Sequence, residues 1–220
     1  MKKEFSALPD SMKGRNLYGF DWKEFVLAIP SPLVTVTTWK PDGKTNATMQ
    51  SWLTFTSDES GFYCIFGGVN RRKHMYQTMK QRGALVINFP TAVNYMKCYA
   101  TIRHNRDEDD EIAAAGLTAE PAAMVDAPRI RECFLNLECE YQWEQELSPG
   151  SGCAVVCVKV VNVVMDEAHF DDHQLGRYGE TGYLYNVHSP TNPVTGEESE
   201  THIAMLKLLK SQRAMELEGE

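Results

Sequence analysis

Two short stretches of this chain hold most of the side chains able to do chemistry. The first is Asn46-Ala47-Thr48-Met49-Gln50-Ser51-Trp52, which sets Asn46, Thr48, Gln50 and Ser51 as short hydrogen-bonding groups along one extended segment ending in Trp52. The second is Gly67-Gly68-Val69-Asn70-Arg71-Arg72-Lys73-His74, two glycines followed by three consecutive cations. Glycines let a backbone approach a ligand closely. A helix start offers free amide hydrogens and a positive partial charge, and added cations there oppose the helix dipole unless an anion offsets them. In a chain whose formal net charge is −8, the cluster reads as a phosphate seat. The same residues also read as a solvated basic turn in which Arg and Lys pair with nearby carboxylates.

Other constellations carry less. Neither Cys133/Cys139 nor Cys153/Cys157 has the Cys-x2-Cys spacing of a zinc knuckle, and both pairs read as buried core thiols. His169, His173 and His188, with Asp166, Glu167, Asp171 and Asp172 close by, read as a solvated loop, with a surface cation site as the alternative. The acidic run Asp107–Glu111 reads as an exposed helix start. No Gly-x-Ser-x-Gly elbow and no Gly-x-Gly-x-x-Gly fingerprint supports a serine hydrolase or a Rossmann dehydrogenase.

The elements that must position these groups follow from pattern and turn chemistry. Val- and Thr-rich residues 33–39 predict a strand, Pro41-Asp42-Gly43 a turn, and 45–55 a second extended segment. Residues 62–66, 85–89, 134–146 and 153–165 read as further strands. Helices are expected over 70–81, stopped by Gly83, over 92–100, capped by Thr91, and over 112–115, ended by Gly116. Residues 176–196 read as a long loop with a short strand at 183–185, and 201–217 as a helix. Short hairpin-linked strands with few helices argue for an antiparallel barrel.

The length of 220 residues and the 43% hydrophobic composition suit one domain with appendages: an arm over 1–24, the barrel over 25–170, and a C-terminal loop and helix over 171–220. An acidic chain is a poor partner for nucleic acid or an anionic membrane. No secretory signal or transmembrane stretch stands out. The six cysteines then read as reduced thiols in a cytoplasmic protein.

Three segments in order, IPSPLVTVTTWKPDGKTNATMQSW, GGVNRRKHMYQTMKQRGALVINFP and AAAGLTAEPAAMVDAPRIRECFLNLECEY, resemble the flavin reductase-like family of FMN-binding split barrels, of the flavoredoxin-like kind. The resemblance covers roughly residues 25 to 170. It implies a mainly β fold, a six-stranded antiparallel Greek-key split β-barrel that forms a homodimer and binds FMN without covalent attachment. By the same resemblance Asn46, Ala47, Thr48, Met49, Gln50, Ser51 and Trp52 line the isoalloxazine, with Thr48 and Ser51 at its pyrimidine edge. Asn70, Arg71, Arg72 and Lys73 hold the phosphate, and His74 stands where relatives often carry a hydroxyl. Asn88 and Phe89 close the ribityl side. The segment 176–179 resembles a late family segment in which an aromatic or arginine borders the cleft, so Arg177, Tyr178 or Tyr183 covers the ring, or the three belong to a surface loop with packed tyrosines.

The redox chemistry then belongs to the flavin, and no catalytic acid–base pair is expected. The implied activity is transfer of electrons from NAD(P)H or a redox partner protein, through FMN, to flavin or a downstream acceptor. Many relatives carry a His in the hairpin before the Val-rich strand, where the nicotinamide approaches; here 147–153 has none. That departure keeps open a non-enzymatic FMN-binding electron carrier or sensor. A third reading is an empty barrel kept for protein contacts.

Overall fold

In the computed structural model, residues 1–17, 20–169, 175–188 and 190–207 are described. Their strands in chain order are β1 Ser31–Pro32, β2 Val34–Trp39, β3 Thr45–Gln50, β4 Leu53–Asp58, β5 Gly61–Asn70, β6 Ala84–Phe89, β7 Ala119–Pro121, β8 Pro128–Ile130, β9 Leu135–Glu146, β10 Cys153–Met165, β11 Leu184–Asn186 and β12 Ile203–Met205. The α-helices are α1 Trp22–Leu27, α2 His74–Arg82, α3 Tyr95–Thr101 and α4 Glu111–Ala114.

The main sheet has the order β3-β2-β6-β9-β10-β5-β4, and every pairing in it is antiparallel. Its two edge strands, β3 and β4, are consecutive in sequence, with only Ser51 and Trp52 between them. A flat sheet of this order would put its edges about 29 Å apart at the usual strand spacing. The step from Gln50 to Leu53 spans at most about 11 Å. The sheet therefore has to curl until its edges nearly meet. The ladder stays open there: β3 and β4 are not hydrogen-bonded neighbours, and the Ser51-Trp52 linker spans the seam, with the Trp52 carbonyl accepting from the Gly67 N–H at 2.7 Å as a one-step extension of the β4–β5 pairing. The result is the expected split barrel with seven strands rather than six, because the extended segment 45–55 breaks at Ser51-Trp52 into strands on opposite edges.

Local chemistry explains the other departures. Gly67 and Gly68 do not end β5. Gly68 takes a left-handed φ of 81° where the β5–β10 register slips between Ala154 and Val156, so the strand runs on to Asn70 through an irregularity that a glycine permits. The following helix starts at His74 rather than Asn70, with Lys73 still extended at its cap. It seals one end of the barrel with Met75 and Met79, both buried, and stops at left-handed Gly83. The helix expected over 92–100 begins at Tyr95, after Asn94. Residues 203–205 form β12 on β11, which is itself paired with β1, so the helix expected over 201–217 is not what those residues make. Positions 208–217 lie outside the described residues.

Buried Val36, Phe66, Leu85, Ile87, Leu137 and Val156 belong to the barrel core. A second cluster, Ala47, Cys98, Ile112, Leu117, Ile130 and Cys133, sits with α3 and α4. Two further expectations are corrected here. Glu111, read as part of an exposed acidic run, is 1% exposed. His169, read as part of a solvated loop, is buried, stacks on Phe134 with ring centroids 4.5 Å apart, and lies 2.9 Å from the Thr181 carbonyl. Among the described residues no helix is long and apolar enough to cross a membrane.

Candidate functional site at the barrel seam

The dipeptide that joins the two sheet edges also forms one wall of a cavity of about 710 Å³. Met49, Gln50, Ser51 and Trp52 make this wall, α3 contributes Tyr95, Tyr99 and Ile102, and the N-terminal arm brings Met12, Leu17 and Phe20. Asn186 and His202 come from the C-terminal segment. The volume is in the range of small-molecule and cofactor sites, and the lining mixes apolar groups with polar ones, Asn16, Gln50, Ser51 and Glu198 among them. Trp52 is held between Phe20, at 4.6 Å between centroids, and His188, stacked at 4.5 Å and 24°. Burial holds the His188 imidazole below its ordinary pKa. Arg15 at the rim is committed to Glu198 and to the Gly196 carbonyl.

The free edge of β3 is prepared by charges behind it. The Ala47 N–H donates to Glu111 Oε2 at 2.7 Å, so it points away from β2. Antiparallel alternation then puts the Met49 N–H and C=O on the same open edge. Glu111 lies 3.1 Å from Lys40 Nζ, with side chains 1% and 5% exposed. Lys40 also donates to the Arg106 and Asp109 carbonyls, at 2.9 and 2.8 Å. Burial outweighs the Ala47 hydrogen bond and the Lys40 charge, and the Glu111 carboxyl is pushed above its ordinary range. His74 Nε2 is 2.9 Å from Asp107 Oδ1, and Nδ1 is 4.0 Å from Glu111 Oε1. The first turn of α2 thus stands beside one end of β3, while β5 is tied to the other end through Gly67.

Of the residues singled out in the sequence, Met49, Gln50, Ser51 and Trp52 meet at the cavity, and Thr48 is half-buried on the same strand. Asn46 and Ala47 are buried behind it, Asn46 donating to Thr38 Oγ1 at 3.2 Å. Asn70 ends β5, and its Oδ1 accepts from the Arg72 N–H. Arg71 is paired with Glu144 and Glu146, at 3.2 and 3.3 Å, as the basic-turn alternative has it. Arg72 and Lys73 are exposed and have no acidic partner among the described residues. None of the three cations lines the cavity. From Gly67, at the seam, to Arg71 the chain spans at most about 14 Å.

Asn88 is fully buried. Its Nδ2 donates to the Thr35 carbonyl and Thr37 Oγ1, both at 2.9 Å, and its Oδ1 accepts from the Ile130 N–H and Asn136. Phe89 lines a separate apolar cleft of about 390 Å³ with Phe55 and Tyr183. Arg177 lines neither space, and its Nε donates to the His169 carbonyl at 3.0 Å.

Sequence reasoning missed the α3 tyrosines, although Tyr95 and Tyr99 at i, i+4 share a helix face. It also missed Asn186, one residue past the strand expected at 183–185, and His202, which the expected helix over 201–217 gave no reason to place beside Ser51.

A family model described as the flavin reductase like domain matches residues 26–185. A 26% identical, uncharacterized protein of Aquifex aeolicus (strain VF5) aligns over 168 residues, 72% of this chain and 85% of that one. The fold is similar to the flavoredoxin of Desulfovibrio vulgaris (Miyazaki F), with TM-score 0.67 and 20% identity over 96% of this chain and 97% of that one. It is similar also to a split-barrel protein of Shewanella frigidimarina NCIMB 400, with TM-score 0.68 and 15% identity over 88% and 93%. The strands form an open antiparallel barrel with a cavity of mixed polarity at its seam. The match over most of the chain makes this protein a member of the flavin reductase-like family.

Proposed function

We propose that the protein is a cytoplasmic FMN-binding oxidoreductase that works as a homodimer, taking electrons from NAD(P)H or a protein donor and passing them to flavin or another acceptor. The observation that carries this reading is the seam itself. The same residues that join the two edges of the open barrel give the cavity the Trp52 ring, an open strand edge at Met49 and a hydroxyl at Ser51. A bound FMN would supply the electron storage. The chain's part is to hold it. Trp52, Tyr95 and Tyr99 offer apolar faces and exclude water, and the β3 edge meets polar atoms of the ring. Arg72 and Lys73, without carboxylate partners among the described residues, offset the phosphate charge at the far end of the glycine-rich step. Of the appendages around the barrel unit at 25–170, the arm over 1–24 walls the cavity with Met12, Leu17 and Phe20, and the C-terminal one over 171–220 does so with Asn186, His202 and Ile203. Asn46, Ala47 and Asn88 serve from behind, by fixing the strands.

A second reading, an electron carrier or sensor fed by another protein, is favoured by the histidine-free hairpin turn, where Leu147 is 56% exposed. Anaerobic addition of NADH or NADPH to the FMN-loaded protein separates the two: rapid bleaching marks the reductase, none the carrier. The phosphate assignment is tested by titrating FMN and riboflavin into the Arg72→Ala/Lys73→Ala variant. FMN affinity is expected to fall about tenfold or more, with riboflavin nearly unchanged. Arg71→Ala is expected to matter less, because Glu144 and Glu146 already occupy that guanidinium. Equal losses for both flavins would overturn the assignment.

A further inference from the structure

The wall of the cavity at Ser51 is set by a residue just past the stretch that matches the family model. Asn186, at the end of β11, donates from Nδ2 to Ser51 Oγ at 3.1 Å. Its Oδ1 accepts from the His188 N–H at 2.9 Å. His188 has a left-handed backbone, φ 55°, a conformation in which histidine is enriched among non-glycine residues. A backbone N–H can only donate, so the Asn186 oxygen has to face it, and the amide nitrogen has to face Ser51. The weaker 3.4 Å approach of the same nitrogen to His188 Nδ1 agrees with that orientation. Ser51 is 4% exposed and its oxygen is used as an acceptor. The hydroxyl proton has no acceptor among the described residues, and Ser51 lines the cavity.

We propose that Asn186 is a positioning residue: by filling the Ser51 oxygen with a donated hydrogen bond, it fixes the Ser51 O–H as a donor toward an acceptor atom on the edge of a heteroaromatic ligand in the cavity. This rests on the flavin reading above. It makes the site select for rings whose nearest edge atom carries a lone pair, and against those that present an N–H there.

The test is a double-substitution cycle read by equilibrium FMN binding, followed by flavin fluorescence, with the visible absorption band of the bound flavin as a second readout. Ser51→Ala removes the donor, with an expected loss of about fivefold to tenfold. Asn186→Asp keeps the oxygen that receives the His188 N–H but replaces the amide nitrogen by an acceptor. The Ser51 proton then turns to the introduced carboxylate, and a loss of similar size is expected, with the same change in the absorption band. Apart from any direct effect of the new charge, the double variant is expected to bind no worse than about twofold below Ser51→Ala, because the hydroxyl through which Asn186 acts is gone. Any direct effect of the new charge persists in both backgrounds and cancels in the cycle.

Losses that multiply fully, or an Asn186→Asp variant that binds like wild type, would overturn the inference while leaving the flavin reading intact. A wild-type protein that takes up no flavin would overturn both. If Asn186→Asp does not fold, as judged by far-UV circular dichroism, Asn186→Ala serves in its place. It frees the hydroxyl to rotate, with a smaller expected loss of about twofold to threefold that again vanishes in Ser51→Ala.

Discussion

Replacing Lys40 by Met probes the charge pair behind the site strand. The two side chains are almost completely buried, and Lys40 Nζ serves Glu111 and two backbone carbonyls at once. Removing one partner of a buried pair leaves an uncompensated charge, which costs about 3–5 kcal/mol at neutral pH. The sign of the pH dependence follows from Glu111, whose folded-state pKa lies above its ordinary value of 4.5. Between those two values the folded protein binds the proton more tightly than the unfolded chain. Glu111's contribution to stability is therefore full below the ordinary value and falls as pH rises through the raised one.

Without Lys40 the raised value moves further up, and each additional pKa unit adds about 1.4 kcal/mol to the loss at neutral pH. Urea unfolding at constant ionic strength is expected to show a large Lys40→Met penalty at neutral pH and a smaller one near the ordinary carboxylate range. The double variant Lys40→Met/Glu111→Gln, which keeps an acceptor for the Ala47 N–H and has no charge, is expected to recover most of the loss. A penalty that is flat with pH or grows toward acid, or a double variant as unstable as Lys40→Met, would refute the reasoning.

Two further outcomes follow from buried hydrogen bonding and from backbone strain. Asn88→Ala leaves several buried partners unsatisfied and is expected to cost about 3 kcal/mol, seen as a lowered melting temperature. Flavin affinity measured where the variant is still folded should stay within about twofold, and a larger loss would show that Asn88 reaches the ligand. Gly68→Ala meets no atom closer than 3.8 Å but keeps a left-handed φ, so it is expected to cost about 1 kcal/mol by urea midpoint. A loss of 3 kcal/mol or more would mean that the β5 irregularity is more constrained than its φ alone requires.

The strands were legible because the barrel is built from hairpins, whose turns announce themselves locally. Pro41-Asp42-Gly43 and Ser148-Pro149-Gly150 each sit between the segments they reverse. The break at Ser51-Trp52 was not legible, since nothing local marks it: the two halves of 45–55 part company only because they pair at opposite edges of one sheet. The same holds for 203–205, whose extended form is imposed by β11, some twenty residues earlier in the chain. In the candidate site, the residue types near Ser51 could be read directly. The state of Arg71 could not, because Glu144 and Glu146 lie on β9, far off in sequence, and only the assembled sheet brings them across. Asn88 shows the converse: only the family resemblance put it at the ribityl side, and the internal hydrogen bonds that its side chain makes come from strands and loops far off in sequence.

The two-residue joint between the sheet's outer strands also orders events in time. The β2–β3 and β4–β5 hairpins need only local chain, but the joint between them takes its shape when three later strands, β6, β9 and β10, have filled the gap. Until the last of these docks, Ser51 and Trp52 are a slack tether with no cavity beside them. Ligand uptake then becomes a report on completed assembly, and a truncated chain lacking β10 would retain the binding motif in its sequence while losing the place it describes.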